Sequence, residues 1–243
     1  RYLDDSGLRR PLDMPRPQIA IMFAFVLVAA LIGGYLLFNV LDAVRGGTAR
    51  AQASVEENLS REVSYDLPAL TSYITLNDDE IKQAVADAGL TVIDKGGMSD
   101  DPEAALELIK LPSDVSELDA GLMYNKGVSK LSASEAALLL NGSWTLDADR
   151  SDGTSMRLRY ADFSSGSLDA AIDAAIAAEG FDPATIAEDG MGVDEVGNTF
   201  KQGTVDVDGT AYTWKVSALP LSEMYDISGL PETAVYVGVR LSS

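Results

Sequence analysis

Neither cysteine nor histidine occurs anywhere in the 243 residues. Without cysteine there is no disulfide, no thiolate nucleophile, no sulfur metal ligand and no lipid attached through a cysteine, so packing alone must hold the fold. Without histidine, Ser-His-Asp and Cys-His catalytic arrangements and histidine metal sites are excluded, and the usual proton shuttle near neutral pH is missing. Basic residues are scarce as well: 18 Lys and Arg against 38 Asp and Glu give a formal charge of −20. Residues 1–50 hold six arginines and four aspartates; subtracting these from the totals leaves 12 basic and 34 acidic side chains, a net of −22, in the rest. Nucleic-acid affinity depends on basic neutralisation of phosphate, so no nucleic-acid partner is expected. An acidic surface favours basic partners or divalent cations over anionic polymers.

Familiar catalytic signatures are missing too. No serine stands three residues before a lysine, as in penicillin-binding proteins, and there is no Gly-x-Gly-x-x-Gly or Gly-Lys-Ser/Thr phosphate loop. Glycoside hydrolysis needs two opposed carboxylates, but with 34 acids after residue 50 pairs are too common for any to stand out. The sequence therefore singles out no catalytic residue and implies no cofactor.

What the chain does have is one long apolar run. Ile19 to Leu41 is 23 residues without a charge, apolar on every helical face. As a helix it spans about 34 Å, against about 30 Å for a hydrocarbon core. The expected organisation is a cytoplasmic tail over 1–17, a transmembrane helix over 18–44 and a C-terminal domain outside the cytoplasm. Arg9, Arg10 and Arg16 precede the run and Arg45 and Arg50 follow it, a slight bias towards a cytoplasmic N-terminus. The opening at Arg1 without methionine suggests a longer tail. Cleavage of a signal peptide at Ala49-Arg50-Ala51 or Ala51-Gln52-Ala53 is the competing reading, but signal cores run about 7 to 15 residues.

Gly46-Gly47 is expected to interrupt that helix, and the polar residues after it, with Val55, Leu59 and Val63 at helical spacing, read as a stalk over 45–66. Leu67-Pro68 opens an α+β domain over 67–243, helices on antiparallel sheet, with halves at 67–163 and 164–243. Asn77 or Asp78 caps a helix with the stripe Ile81, Ala84, Val85 and Ala88, ending at Gly89-Leu90; Ser167 caps another with Leu168, Ala171, Ile172, Ala175 and Ile176, ending at Gly180-Phe181. Each is followed by a hairpin about Asp-Gly: Trp144, Leu146 and Ala148 against Met156, Leu158 and Tyr160, and Val205 and Val207 against Tyr212, Trp214 and Val216. A duplicated helix-plus-hairpin unit accounts for the likeness if the first copy holds a 35-residue insertion. That insertion would contain a helix from Asp101-Pro102 through Leu106 and Ile109 and another from the capping box Ser132 to Glu135 through Leu140. Val235, Val237, Val239 and Leu241 form a final strand.

Asp147, Asp149 and Ser151, followed by Asp152-Gly153, alternate in the manner of a calcium loop, yet Asp152 stands where glycine is wanted and Leu158 where a bidentate glutamate would be. Asp147, Asp149 and Asp152 are the candidate metal residues. Trp144, Tyr160, Tyr212 and Trp214 lie on strand faces assigned to the core; Tyr236, on the opposite face of its strand, is the candidate binding residue. The function these features favour is a noncatalytic, membrane-anchored envelope protein that engages a protein partner or the cell wall. A carboxylate-based hydrolase on an envelope substrate, and an accessory subunit of a membrane complex, are the alternatives.

Overall fold

A computed structural model describes residues 46–96, 105–151 and 153–243. The chain forms two compact units, Arg1–Arg50 and Ala51–Ser243. The expected transmembrane helix and cytoplasmic tail lie outside the described residues, and among those described no helix is long and apolar enough to cross a membrane. Helical residues run from 46 to 59, so Gly46 and Gly47 do not interrupt a helix there. Glycine costs a helix interior about 1 kcal/mol each, which weakens the turn without forbidding it.

The second unit is an α+β domain on an antiparallel sheet of eight strands in the order β1-β2-β3-β4-β8-β7-β6-β5. The strands are β1 (Val92–Asp94), β2 (Leu106–Lys110), β3 (Trp144–Asp149), β4 (Ser155–Asp162), β5 (Met191–Val193), β6 (Thr199–Val207), β7 (Thr210–Pro220) and β8 (Val235–Ser242). Each half is a four-stranded meander, and the two meet where β4 pairs antiparallel with β8 over eight residues of each, from Ser155↔Ser242 to Asp162↔Val235. The order therefore reads the same from either edge.

One face of the sheet is covered by α2 (Leu70–Tyr73), α3 (Asp78–Asp87) and α6 (Leu168–Glu179). Helix α3 starts at an Asn77 capping box and buries Ile81 and Val85; α6 starts at Ser167 and buries Ala171, Ile172, Ala175 and Ile176. Both stop the same way. Gly89 and Gly180 each take φ of +71°, and Leu90 and Phe181 each return an amide to the carbonyl five residues back, Val85 and Ile176. The third strand of each half carries a buried tryptophan whose indole donates to a backbone carbonyl, Trp144 to Tyr65 at 2.8 Å and Trp214 to Thr204 at 3.3 Å. Every strand residue assigned to the core from period-two alternation in β3, β4 and β8, together with Tyr212, Trp214 and Val216, is buried.

The other face is covered only at one end. Helices α4 (Glu117–Lys126) and α5 (Ala133–Leu140), inserted between β2 and β3, and α7 (Leu221–Met224), between β7 and β8, pack over Ile109, Ala161, Leu221 and Ala234. Residues 51–66, expected as part of a stalk, pack on the domain from helical stretch 51–59 (α1) onwards: Val55 is buried, Asn58 donates to the Ser134 carbonyl at 2.9 Å, and Arg61 to the Leu138 carbonyl at 2.8 Å. Lys110, almost fully buried, donates to the Ser64 and Gly142 carbonyls and faces Asp66 at 3.6 Å, and burial holds its pKa below the usual lysine range.

Leu106 to Lys110 was expected to continue a helix and is strand β2 instead. Leu106 and Leu108 lie under the helices, while Ile109 is buried against the second cluster. With both faces covered, the strand loses its alternation and Leu106/Ile109 imitates helical spacing. The expected match of hairpin 144–160 with hairpin 205–216 is also shifted by one strand. In the strand order β3/β4 matches β7/β8, while β6/β7 matches β2/β3, whose connection is expanded by α4 and α5.

Two consequences are measurable. Trp214 stacks on Phe181 with ring centroids 5.0 Å apart, and a Cβ on Gly203 would lie 2.6 Å from the indole and 2.4 Å from the Thr185 hydroxyl. Gly203→Ala is expected to lower stability by about 1–3 kcal/mol in urea unfolding, because neither neighbour has room to retreat. Glu179 is 5% exposed and accepts the Leu70 amide at 2.8 Å; burial, opposed by that amide, pushes its carboxyl up to about 7. A raised carboxyl contributes stability that is complete below its unfolded pKa and lost as pH climbs through the folded one. Relative to Glu179→Gln, the native protein should therefore lose on the order of 3 kcal/mol between about pH 4.5 and pH 7. Parallel pH profiles for the two proteins would contradict this.

Candidate functional site

Beyond the end covered by α4, α5 and α7, the second face of the sheet is open, and strand register fixes which side chains share it. A row running across six strands joins Glu107, Asp147, Arg157, Arg240, Lys215 and Gln202 on β2, β3, β4, β8, β7 and β6. Three successive members, Arg157, Arg240 and Lys215, are cations on directly opposed positions. The row to one side carries Ser155, Ser242 and Thr213, all hydroxyls, on the same three strands. To the other side stand Arg159, Gly238 and Ser217. None of these nine residues is acidic, in a domain where acids outnumber bases almost three to one.

The four cations differ in their ties. Arg159 donates to Asp147 at 2.6 Å, and its Nε is buried without a hydrogen-bond partner. Burial pushes against its charge, but Asp147 and the Tyr236 hydroxyl outweigh it and the guanidinium pKa is raised. Lys215 donates to Asp194 at 2.9 Å and lies 4.5 Å from the Phe200 ring centroid. Desolvation would raise the Asp194 carboxyl, yet Lys215 and the Asn198 amides hold it down at about 2. Among the described residues Arg240 donates only to the Ser155 hydroxyl, at 3.1 Å, and has no carboxylate in salt-bridge range. Arg157 is exposed and faces Asp147 across the strands without a hydrogen bond or salt bridge among the described residues. Gly238 leaves the patch without a side chain between Arg159 and Ser217; a Cβ there would come 3.2 Å from the Ser217 hydroxyl.

The residues expected from sequence fall around this patch. Asp147 sits in the cation row as partner of Arg159, its pKa raised by burial and only partly offset by that arginine. Asp149 turns back on its own loop, accepting from the Ser151 amide at 2.9 Å and hydroxyl at 2.7 Å. Asp152 lies outside the described residues. Among the described residues no group of three or more acidic side chains is placed to hold a metal ion. Tyr236, read from sequence as the better surface aromatic, is half-buried: it meets Tyr225 edge-on at 6.0 Å under the α7 segment, and burial raises its pKa against the pull of Arg159. It borders the patch through Arg159.

Among the described residues two carboxyls have raised pKa values, Glu179 and Asp147, and the sheet separates them: Glu179 belongs to α6 on the covered face, Asp147 to the open one. They cannot act as a pair on one substrate atom. The larger hollows are shallow as well. A groove of about 490 Å³ between α2 and α3 is lined mainly by apolar groups such as Leu67, Tyr73, Leu76 and Leu90, with Asp66 its only carboxylate.

Arg157 and Lys215 occupy outward positions of their hairpins, between the apolar residues read from sequence as core, whereas Arg240 lies on the final strand far along the chain. Only the pairing of β8 between β4 and β7 makes the three adjacent. Like charges directly opposed across strands are destabilising, so Arg240→Thr, which removes the central cation, is expected to raise stability by about 0.5 kcal/mol in urea unfolding at low salt, the gain shrinking as salt is added. A loss of stability would contradict the stated charge arrangement. No family model, no curated protein and no solved structure matches this chain.

Proposed function

We propose that the chain is a single-pass membrane protein of the cell envelope, anchored through residues 18–44, which displays its acidic α+β domain outside the cytoplasm as a noncatalytic binding module. The observation that carries the binding role is the cationic window around Arg240, where three cations oppose one another on neighbouring strands and none of the nine residues is acidic, although basic residues are scarce in the domain as a whole. Folding gains nothing from that placement, whereas recognition of a negatively charged partner does. The separation of Glu179 from Asp147 supports the noncatalytic reading over a carboxylate hydrolase. The charge-free run Ile19–Leu41 supports the anchor.

We further read the two meanders as copies of one ancestral unit. Capped helices closed by Gly89 and Gly180 and matching strand order support it. Under that correspondence Arg157 and Arg240 are equivalent positions that face each other across the seam.

Topology and activity are tested on cells making the full chain with a C-terminal tag. The chain should sediment with membranes, and protease added outside intact cells should remove the tagged domain. Recovery of the intact chain in the soluble cytosolic fraction would falsify the anchor. Turnover of an envelope substrate that is lost on replacing a single carboxylate would overturn the noncatalytic role.

A further inference from the structure

We infer that the window around Arg240 seats a compact phosphate-bearing group, a phosphate monoester or a diphosphate, presented by a ligand of the envelope. The inference rests on the reading of the open sheet face as the binding surface and names what that surface takes.

Geometry sets the size of the ligand group. Arg157, Arg240 and Lys215 occupy three neighbouring strands, so at the usual strand spacing the row is about 10 Å long. The hydroxyl row Ser155, Ser242, Thr213 and the row Arg159, Gly238, Ser217 each lie two residues along the strands, about 7 Å away. A patch of that size accepts one or two phosphates side by side. It is closed on the β3 side by Asp147 and beyond it by Glu107, which repel any extension of a negative chain in that direction.

Chemistry selects phosphate over a carboxylate. A lone carboxylate offers two oxygens and one charge, enough for one guanidinium. Here two guanidinium groups without carboxylate partners, Arg157 and Arg240, stand beside a lysine and three hydroxyls, a donor set that needs several oxygens and more than one negative charge. Arginine forks meet tetrahedral phosphate in bidentate fashion, and the absent side chain at Gly238 leaves room for a phosphate oxygen between Arg159 and Ser217. A long polyanion is disfavoured by the net charge of −22 after residue 50, whereas a short group within a Debye length of about 8 Å experiences mainly the local cations.

The test uses the full chain purified in dodecyl maltoside, a detergent without phosphate, and titrates inorganic phosphate, pyrophosphate and succinate by calorimetry. Pyrophosphate should bind most tightly, phosphate more weakly and succinate least, with affinity falling as salt rises. Arg157→Gln/Arg240→Gln should weaken pyrophosphate about tenfold or more. Thr213→Glu, which places a carboxylate in the window, should weaken it as well. Lys126→Gln, whose partner is Glu135 on the helical side of the domain, should leave it unchanged. Thermal unfolding of every variant shows that the fold is kept; if one arginine variant unfolds, Thr213→Glu still decides. Repeating the titration in nanodiscs identifies the natural source: a several-fold loss of pyrophosphate affinity on adding phosphatidylglycerol assigns the site to lipid headgroups, and an unchanged affinity assigns it to a non-lipid phosphate. Absence of pyrophosphate binding, equal binding of succinate, or indifference to the window variants overturns the inference. These outcomes leave the membrane topology standing, while a chain found in the cytosol overturns the envelope reading and leaves the phosphate site intact.

Discussion

The antiparallel pairing of β4 with β8 is the constraint on which the rest of the domain depends. Among the described residues it is the only place where the two meanders share a hydrogen-bonded ladder, and it runs the full eight residues of both strands. Met156, Leu158 and Tyr160 face Leu241, Val239 and Val237 across it, all buried under the helices. Each such side chain contributes roughly 1.5–3 kcal/mol by leaving water, so the seam is also a large share of the core. A one-residue slip of β8 against β4 would turn Leu241, Val239 and Val237 towards solvent and carry Arg240 under the helices, an unpaired charge in an apolar layer. Register at the seam is therefore specified from both faces at once: apolar burial on one and charge exclusion on the other.

How far the fold could be read from the chain depended on whether one face of an element met water. Strands β3, β4 and β8 alternate between buried and more accessible residues along most of their length, and their inward residues were identified from period alone. Helices α3, α5 and α6 carry their capping residues Asn77, Ser132 and Ser167 in plain view. Reading failed where that contrast vanished. Strand β2 is buried on both sides and looks helical; β1 and β5 are three residues each, too short for any period. Helix α4 has exposed leucines, Leu118 and Leu122, beside buried Ala120 and Met123, so its stripe is blurred even though Ser116 caps it.

The site was legible in parts and not as a whole. Arg157, Arg159 and Lys215 stand out as charges on the polar side of apolar strands, and Asp147 and Tyr236 fall next to them in the fold. What sequence order hides is that β8, the last strand, lies between β4 and β7. A residue 83 positions after Arg157 thus becomes its cross-strand neighbour, and the cationic row exists only once that strand is in place. Net charge misleads for a related reason. The value of −22 after residue 50 sums the whole domain, whereas binding responds to charges within about a Debye length, and the window around Arg240 gathers four of the twelve basic side chains.

The proposed duplication would account for such a row and gives it no reason of its own to persist. When two copies of a meander join through their last strands, the same position of each copy meets itself at the seam, so an arginine outward in one copy faces its own counterpart. Arg157 opposite Arg240 is that arrangement. Opposed like charges cost some stability, and the simplest relief is a polar or acidic replacement on either side. The next position outward in the row has departed from identity in this way, with Asp147 in one half and Lys215 in the other. Asp147 makes its short ion pair with Arg159 while facing Arg157 across the strands, and the lysine is paired with Asp194. The seam thus keeps two exposed guanidinium groups without a salt bridge among the described residues, beside a glycine and a line of hydroxyls.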